Sequence, residues 1–347
     1  MSALSHHVVI GSGIAGAQAV ATLRARDPDA RVTMITLSAL HCYKRYDLPR
    51  IFRGCRDWRE LLAQPPSYYD DQRITVRRAT KVANVDTSRG MIQLSHNEEI
   101  RFDTLLVASG CRGHLPEELA DYKDLIHRFS TFQDAMTVAR ALPEGGRVIM
   151  LGGDMLGLDL ARTLIDTGHR VTLIAGEHTF WPHPVTVEQR DRLMGVLHDM
   201  GIEVVDGETV GGGIAAIEAG PPGMPARRVV FRDGGDRYGD IVMSFFGLVP
   251  SVEFMLGAGL DIERGILVNP SLRTTDERIY AAGDVCQIWS DQERSYRFFY
   301  GWKNVRAMGD IAARNMTGAA EAFVPAQDEG LAITPEGQIH SPFWEYE

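Results

Sequence analysis

The chain has 347 residues, which is enough for two domains that each enclose a hydrophobic core. Its net charge of −10 at pH 7 disfavours a nucleic-acid-binding protein, because such proteins cluster positive charge on one surface. No apolar run is long enough to cross a bilayer, and no signal peptide is expected before the first strand. The separated cysteines, with no CxxC pair, predict reduced thiols in a cytoplasmic protein and no metal site. They are Cys42, Cys55, Cys111 and Cys286.

Residues 7–16 predict a buried strand, a glycine turn and the start of a helix. Gly11 permits the tight turn, Gly13 lets the backbone approach a pyrophosphate, and Gly16 lets the helix pack closely on the strand. The helix that follows directs its free N–H groups and its dipole toward that pyrophosphate. The motif therefore predicts a dinucleotide site, and a purely structural strand–turn–helix unit is the alternative.

The second predicted strand, residues 31–36, ends without the acidic residue that usually binds the adenosine ribose in dinucleotide folds. Ser38 is the remaining side chain at that position that could hydrogen-bond a ribose hydroxyl. Further on, Arg45 and Arg50 lie near tyrosines, which suits a site that stabilises an anionic reduced flavin. A solvated surface loop is the alternative for this segment.

Short apolar runs at residues 74–76, 91–94 and 100–102 predict the strands of a small antiparallel insert. The buried strand that follows ends in small residues, including Ala108 and Gly110, which allow a ligand to approach closely. A plain turn at the end of a strand is the alternative for these two positions.

The middle of the chain repeats the strand–turn–helix pattern. Gly152, Gly153 and Gly157 follow a buried strand, but Asp154 stands at the place of the middle glycine. A carboxylate there repels a pyrophosphate, whereas Glu177 after the next strand could bind a ribose. No arginine follows closely in the sequence, which disfavours a 2′-phosphate. A nicotinamide site and a doubly wound domain that has lost its ligand both remain open.

Capping boxes predict two helices in this half, one starting at Ser130 with Gln133 and one starting at Thr186 with Gln189. Residues 211–225 are rich in glycine and proline and therefore predict a loop.

The end of the chain predicts an amphipathic helix over residues 302–316 and an irregular segment over the last 29 residues. Phe343, Trp344 and Tyr346 could cover a cofactor or pack on a partner. A terminus that lies against its own domain or is disordered is the alternative.

Five ordered landmarks resemble the two-dinucleotide-binding-domain flavoprotein family, which contains the pyridine-nucleotide disulfide reductases and the rubredoxin, ferredoxin and nitrite reductase flavin subunits. The landmarks are Gly11–Gly16, Leu106–Gly110, Gly152–Gly157, Gly247–Pro250 and Ala281–Val285. The resemblance implies an α/β fold with two doubly wound Rossmann-like domains, the second inserted in the first, and a small antiparallel β insert. It also implies domain bounds, with residues 1–114 and 248–318 binding FAD, 115–247 forming the NAD(P)-binding type, and 319–347 forming a short tail.

The run from Tyr43 to Arg50 resembles the Tyr-x-Arg-x-x-Leu-x-Lys stretch of the rubredoxin and ferredoxin reductase branch. The redox cysteine pair of disulfide reductases is missing, and a thiol-dependent peroxide or disulfide reductase that uses Cys42 is a further alternative. The branch implies electron transfer from NADH through FAD to a small iron–sulfur or rubredoxin-type protein. A flavoprotein relay that has lost nicotinamide binding is the alternative, and the oligomeric state stays open.

The resemblance and the motifs together name the candidate site residues. The FAD candidates are Gly11, Gly13, Ile14, Ala15, Gly16, Ser38, Arg45, Val82, Ala108, Gly110, Gly283, Asp284 and Trp302, with Arg45 and Arg50 expected near the flavin ring. The NAD candidates are Gly152, Gly153, Gly157, Glu177 and Gly247. By the same resemblance, the helix that starts at Trp302 points its N-terminus at the flavin pyrimidine ring, where its dipole stabilises negative charge.

Overall fold

The computed structural model describes residues 4–207, 213–326, 331–334 and 339–341, and it begins with a parallel strand–helix–strand unit. The elements of the first part are β1 (His6–Ile10), α1 (Ile14–Arg26), β2 (Arg31–Ile35), 3₁₀ turns at Arg45–Ile51 and Trp58–Leu61, α2 (Tyr68–Asp71), β3 (Ile74–Arg77), β4 (Val82–Asp86), β5 (Met91–Leu94), β6 (Glu99–Arg101), β7 (Thr104–Val107) and β8 (Cys111–Gly113).

The remaining elements form a second unit and then a return to the first. The second unit contains a 3₁₀ turn at Glu117–Tyr122, β9 (Ile126–His127), α3 (Phe132–Ala141), β10 (Arg147–Gly152), α4 (Met155–Asp166), β11 (Arg170–Ala175), α5 (Val187–Asp199), β12 (Glu203–Asp206), β13 (Ile214–Ala219), β14 (Arg227–Phe231), β15 (Asp236–Gly239) and β16 (Ile241–Phe245). The last part contains β17 (Leu248–Pro250), a 3₁₀ turn at Glu253–Met255, β18 (Ile266–Val268), β19 (Ile279–Ala281), β20 (Cys286–Ser290), β21 (Ser295–Arg297), α6 (Trp302–Met316), β22 (Ala332–Ile333) and β23 (Ile339–His340).

The first unit is built on a parallel sheet with the strand order β19–β7–β1–β2–β3. Its central strand β1 is buried along its whole length, as expected for a parallel strand covered on both faces. Strand β19, which follows the second unit in the chain, completes this sheet by pairing Ile279 with Leu105. The second unit therefore interrupts the chain of the first. The predicted α/β class, with two doubly wound domains of which the second is inserted in the first, is confirmed.

The small antiparallel insert is present, but one of its predicted strands belongs elsewhere. The insert consists of β4, β5 and β6, in that order. The run predicted at 74–76 is instead β3, which pairs in parallel with β2 at the edge of the large sheet. The backbone pairing of Val32 with Ile74 fixes β3 in the large sheet, so the prediction for this strand was wrong.

The second unit repeats the architecture with a parallel sheet in the order β12–β11–β10–β16–β9. Helix α5 begins with the predicted capping box of Thr186 and Gln189. Helix α3 begins one residue later than predicted, because Thr131 and Asp134 form the capping box. The predicted pairing of Ser130 with Gln133 was wrong, since the Asp134 carboxylate accepts from the Thr131 N–H at 3.0 Å.

The loop predicted over residues 211–225 contains strand β13, so this prediction was wrong. Strand β13 joins β14 and β15 in an antiparallel sheet. Its residues Ile214 and Ile217 pack against the core that includes Ile149 and Val205 of the second unit. This tertiary packing overrides the weak local preference of a glycine-rich segment. Residues 211 and 212 lie outside the described part.

The end of the chain contacts both units. Phe323 is buried in the first core, and its N–H donates to the Pro270 carbonyl at 2.7 Å. Farther along, Ile339 packs into the core of the second unit, and β22 and β23 pair as short antiparallel strands. The expectation of a wholly irregular tail was therefore wrong in part. Phe343, Trp344 and Tyr346 lie outside the described residues.

Within the described ranges, no helix combines the length and hydropathy that crossing a bilayer requires.

Helices α1 and α6 lie in close contact at Gly309. A Cβ atom placed on Gly309 would lie 2.3 Å from the Ala15 carbonyl oxygen. We expect Gly309→Ala to lower the free energy of unfolding by at least about 2 kcal/mol, because the two helices must separate. Denaturant unfolding measures this loss.

Gly195→Ala is the matched control, because Gly195 also lies inside a helix and a Cβ there has no atom within 4 Å. We expect this variant to gain about 0.5–1 kcal/mol from helix propensity. Equal stability changes for the two variants would contradict close packing of α1 on α6.

Candidate functional site

The first glycine turn connects β1 to α1 at the carboxyl edge of the first sheet. Gly11 has a φ of +113°, and a Cβ on it would lie 2.0 Å from the Ala108 carbonyl oxygen. A Cβ on Gly16 would lie 2.0 Å from the Gly11 carbonyl oxygen. These two glycines are thus required by the packing of the turn itself.

Gly13 differs from its neighbours because a Cβ there would have no protein atom within 4 Å. Gly13 is also the N-cap of α1, and neither a side-chain cap nor an acidic residue occupies the first turn of that helix. No side chain of the described residues therefore caps the N–H groups and positive dipole end of α1, which begins at Ile14. Such an uncapped N-terminus suits a phosphate group.

Asp284 lies beside this turn. The preceding Gly283 has a φ of +82°, and a Cβ on it would lie 3.4 Å from the Ala15 Cβ and 3.3 Å from Val305. Burial raises the pKa of Asp284 to about 6, and the positive charge of Arg45 partly opposes that rise. No hydrogen bond from the part of the chain that the structure describes reaches the Asp284 carboxylate. Because it accepts no hydrogen bond from those residues, the Asp284 carboxylate is suited to accept hydrogen bonds from ligand hydroxyl groups.

The N-terminus of α6 adds aromatic residues to the same region. Trp302 meets Tyr46 edge to face, with 6.4 Å between ring centroids. The guanidinium group of Arg306 lies 5.1 Å from the centroid of the Trp302 ring. Helix α6 has the glycine N-cap Gly301 and no acidic residue in its first turn, so its dipole is also uncompensated there.

Some of the other FAD candidates lie next to the first glycine turn, and others are occupied by contacts within the protein. Ala108 and Gly110 end strand β7 next to the first turn, since the Ala108 N–H donates to the Ile10 carbonyl at 2.7 Å. Ser38 already exchanges hydrogen bonds with the backbone of Leu40, at 3.1 and 3.2 Å.

Two further candidates are fixed by local contacts. Val82 is buried where β4 pairs with Leu94 of β5. Arg50 is exposed and forms an ion pair with Asp47 at 3.5 Å. In contrast, the positive charge of Arg45 lowers the pKa of Asp284.

The second glycine turn is capped by its own side chain. Asp154 is 2% exposed, and its Oδ1 accepts from the Gly157 N–H at 2.9 Å. Its Oδ2 accepts from the Gly247 N–H, also at 2.9 Å. Burial raises the pKa of Asp154 to about 6, while these amide bonds lower it. The carboxylate therefore points into the protein, and the expectation that it faces a pyrophosphate directly is corrected.

The glycines of this turn serve close packing. Gly152 has a φ of +96°, and a Cβ on it would lie 2.1 Å from the Phe245 carbonyl oxygen. A Cβ on Gly157 would lie 2.5 Å from the Phe245 ring, so the ring fills the space beside the helix. Gly153 has a φ of +99° and packs on Leu173.

Glu177 lines a cavity of about 390 Å³ at the carboxyl edge of the second sheet. The cavity walls include His114, Glu118, His178 and Phe246. The Glu177 carboxylate is 81% exposed and lies 3.4 Å from Nε2 of His178. An exposed carboxylate beside an aromatic-lined cavity fits the ribose and adenine end of a dinucleotide.

Arg190 is a residue that the sequence analysis missed. It belongs to α5, and its Nη1 donates to the carbonyl of Gly176, next to Glu177, at 2.8 Å. Its Nη2 lies 3.8 Å from Asp206. No arginine follows Glu177 closely in the sequence, as expected. In the structure, however, α5 brings the Arg190 guanidinium group to the same edge of the second sheet as Glu177.

The buried thiol of Cys42 fits a structural role. Burial raises its pKa to about 11, so the thiol is protonated at neutral pH, and the thiolate is the reactive form. We expect Cys42→Ser to retain FAD and to leave the rate of flavin reduction by NADH unchanged. Stopped-flow absorbance of the flavin measures this rate. A variant that retains FAD but loses the reaction would contradict the expectation.

Comparisons with known proteins agree with this geometry. The chain matches the family described as Pyridine nucleotide-disulphide oxidoreductase over residues 5–323. A relative from Burkholderia cepacia, the anthranilate 1,2-dioxygenase system ferredoxin–NAD(+) reductase component, is 29% identical over 91% of this chain and 76% of its own. The nitric oxide reductase FlRd-NAD(+) reductase of Aeromonas hydrophila is 32% identical over 82% of this chain and 71% of its own.

Solved structures show the same fold. In the putidaredoxin reductase–putidaredoxin complex, the matching chain has a TM-score of 0.81 and 23% identity, with coverage of 95% of this chain and 78% of that one. The NADH:rubredoxin oxidoreductase of Clostridium acetobutylicum has a TM-score of 0.75 and 20% identity, with coverage of 96% and 80%.

The chain belongs to the pyridine nucleotide-disulphide oxidoreductase family and is an oxidoreductase. The cofactors implied by this membership are FAD and NAD(H). The first site fits FAD, because Gly13 leaves open space at an uncapped helix end and the Asp284 carboxylate has a free hydrogen-bonding capacity beside it.

Proposed function

We propose that this protein takes electrons from NADH through FAD and passes them to a small iron–sulfur or rubredoxin-type protein. The contrast between the two glycine turns is the main structural support. The first turn is uncapped and open at Gly13, which suits a bound dinucleotide, whereas the Asp154 carboxylate caps the second turn. The relatives named above, which are ferredoxin–NAD(+) and FlRd-NAD(+) reductases, support the choice of donor and acceptor.

FAD, when bound, supplies the conversion of two-electron chemistry at a nicotinamide into one-electron transfer to a carrier. The chain supplies position and charge. Gly11, Gly13 and Gly16 shape the pyrophosphate turn, and Asp284 accepts hydrogen bonds from the hydroxyl groups of the cofactor. Arg45 adds positive charge near Asp284, which favours a negatively charged ligand there.

The proposal also divides the chain into two domains. Residues 1–114 and 248–318 form the FAD domain, and residues 115–247 form the NAD(P)-type domain. Support comes from the pairing of β19 with β7 across the second unit. We further propose a cytoplasmic location, because the four cysteines are free thiols and the proposed reductant is NADH.

For the nicotinamide half, the proposed adenosine end lies in the cavity lined by Glu177. The Asp154 carboxylate occupies the amides of Gly157 and Gly247, which is the observation that favours the alternative of a relay without nicotinamide binding. The same observation is compatible with NADH if the pyrophosphate binds the outer side of the turn.

Anaerobic addition of NADH to the purified yellow protein tests the proposal. We expect the flavin absorbance to bleach within seconds with NADH, and more slowly with NADPH because Glu177 repels a 2′-phosphate. A flavin that stays oxidised with both nucleotides but is reduced by dithionite would support the relay instead.

A further inference from the structure

The cavity beside Glu177 is lined by carboxylates and histidines. The carboxylates belong to Glu117, Glu118 and Glu177. Among the described residues that line this cavity there is no lysine or arginine, and the side chains that can become positive are His114 and His178. The charge of the cavity therefore depends on whether these histidines are protonated, and histidine ordinarily changes charge between pH 5 and 8.

His178 is held at this cavity by a fixed turn. The Thr179 N–H donates to the Gly176 carbonyl at 3.0 Å, and Oγ1 of the buried Thr179 accepts from the Gly176 N–H at 3.0 Å. The His178 ring meets the Phe246 ring edge to face, with 6.0 Å between the ring centroids. These contacts keep Nε2 of His178 at 3.4 Å from the Glu177 carboxylate.

The two histidines differ in their surroundings. Their ring centroids are 6.3 Å apart, so positive charges on both rings would repel each other. Burial lowers the pKa of His114, and the positive charges of His178 and Arg112 lower it further, although Glu118 opposes this shift. The His178 side chain is 37% exposed and faces Glu177. A proton taken up by the pair is therefore placed on His178, beside the carboxylate.

Two other charged groups act close to His178. Its charge reaches the buried carboxylate of Asp154, which has a pKa of about 6. The Arg190 guanidinium group, which donates to the Gly176 carbonyl, stays positive throughout this pH range. Since Asp154 titrates in the same range, a test of His178 needs a variant that removes this histidine alone.

We infer that His178 makes the choice between NADH and NADPH depend on pH, with a strong preference for NADH while His178 is neutral and a weaker one once it is protonated. The inference rests on the proposed function, because it concerns the nucleotide that the Glu177 cavity holds. His178 is a specificity-determining residue in this scheme.

The physical basis is the 2′-phosphate that distinguishes NADPH from NADH. This group carries about two negative charges at pH 7, and the Glu177 carboxylate repels it. Protonated His178 neutralises that carboxylate and adds a charged hydrogen-bond donor for the phosphate. One positive charge next to a doubly charged phosphate in water changes its binding by about tenfold.

Calorimetric titration of the oxidised FAD-bound protein with NAD⁺ and with NADP⁺, at pH 8 and at pH 6, tests the inference without turnover. The measured quantity is the dissociation constant of NADP⁺ divided by that of NAD⁺. Between pH 8 and pH 6 we expect this ratio to fall about tenfold more in the wild type than in His178→Gln. The 2′-phosphate and Asp154 also gain protons in this range, but they do so in both proteins. An equal fall in the two proteins would overturn the inference.

His114→Gln is the matched control, because it removes the other histidine of the same cavity. We expect the ratio in this variant to fall with pH as much as in the wild type. A pH dependence that is lost in His114→Gln and kept in His178→Gln would assign the effect to His114 and would overturn the role of His178.

The outcome for His178 can be separated from the outcome for the proposed function. NAD⁺ binding to the wild type, together with the same pH dependence of the ratio in His178→Gln, overturns the role of His178 alone. A wild-type protein that binds neither NAD⁺ nor NADP⁺ at either pH overturns both.

Discussion

Gly13→Ala is expected to lower the affinity for FAD by about 10- to 100-fold while the FAD-free protein stays as stable as the wild type. The lower affinity follows because a methyl group in the approach path of the pyrophosphate forces a shift worth about 1–3 kcal/mol. The unchanged stability follows because the added Cβ has no protein atom within 4 Å. The backbone of Gly13, with φ −72° and ψ −169°, is also one that alanine adopts without strain.

Gly11→Ala is the contrasting variant in the same turn. Its Cβ would lie 2.0 Å from the Ala108 carbonyl oxygen, at a φ of +113°. We expect this substitution to destabilise the protein itself by at least about 3 kcal/mol, through both strain and the clash. Denaturant unfolding of the FAD-free proteins and titration with FAD, followed by quenching of flavin fluorescence, separate the two effects.

Two results would contradict this assignment of the turn. A Gly13→Ala protein that binds FAD as tightly as the wild type would mean that no cofactor atom approaches Gly13. A Gly13→Ala protein as unstable as Gly11→Ala would mean that the glycine is required by the fold and not by the ligand.

The positions of both glycine turns were predictable from the sequence, because their geometry depends on residues a few positions apart. Strand β1, the turn and α1 lie within residues 6–26, and the glycine spacing alone predicts them. The same holds for the capping box of Thr186 and Gln189, whose two partners are three residues apart.

The role of Asp154 was not predictable, because it depends on a residue far away in the chain. One of its two hydrogen bonds comes from Gly247, 93 positions later. Sequence spacing shows a carboxylate at the place of a glycine, but it does not show which way that carboxylate points. The proximity of Arg190 to Gly176 has the same origin, since α5 folds back to the strand end.

The predicted sheet position of β3 was wrong for a different reason. A short apolar run fits an antiparallel insert and the edge of a parallel sheet equally well by its pattern. The parallel pairing of β3 with β2 decides between them. The local sequence thus predicts that a strand exists, and tertiary packing selects its partner.

Asp284→Asn is expected to remove a pH dependence from both stability and cofactor binding. The folded pKa of Asp284, about 6, lies above its usual value, so the protonated carboxyl group is the form that the FAD-free fold favours. This contribution to stability is fully present below about pH 4 and is lost as the pH rises through about 6. Asp154 has a raised pKa in the same window, so the variant should retain part of the wild-type pH dependence.

Binding of FAD reverses the preference of Asp284 for its protonated form. Hydroxyl groups that donate to the carboxylate favour its charged form, so the wild-type affinity for FAD should rise between about pH 5 and pH 7. Asparagine has no charge to gain, and we expect Asp284→Asn to bind FAD about 10- to 100-fold more weakly at pH 7 without this rise, because a hydrogen bond to a charged group contributes about 1.5–3 kcal/mol. Titrations with FAD at several pH values measure both effects. A parallel pH dependence in the two proteins would assign the titration to another group and would remove Asp284 from the cofactor site. An FAD affinity of the variant that does not change with pH, together with greater stability of the FAD-free variant at neutral pH, would mean that the fold tolerates a destabilising half-buried carboxylate because the cofactor requires it.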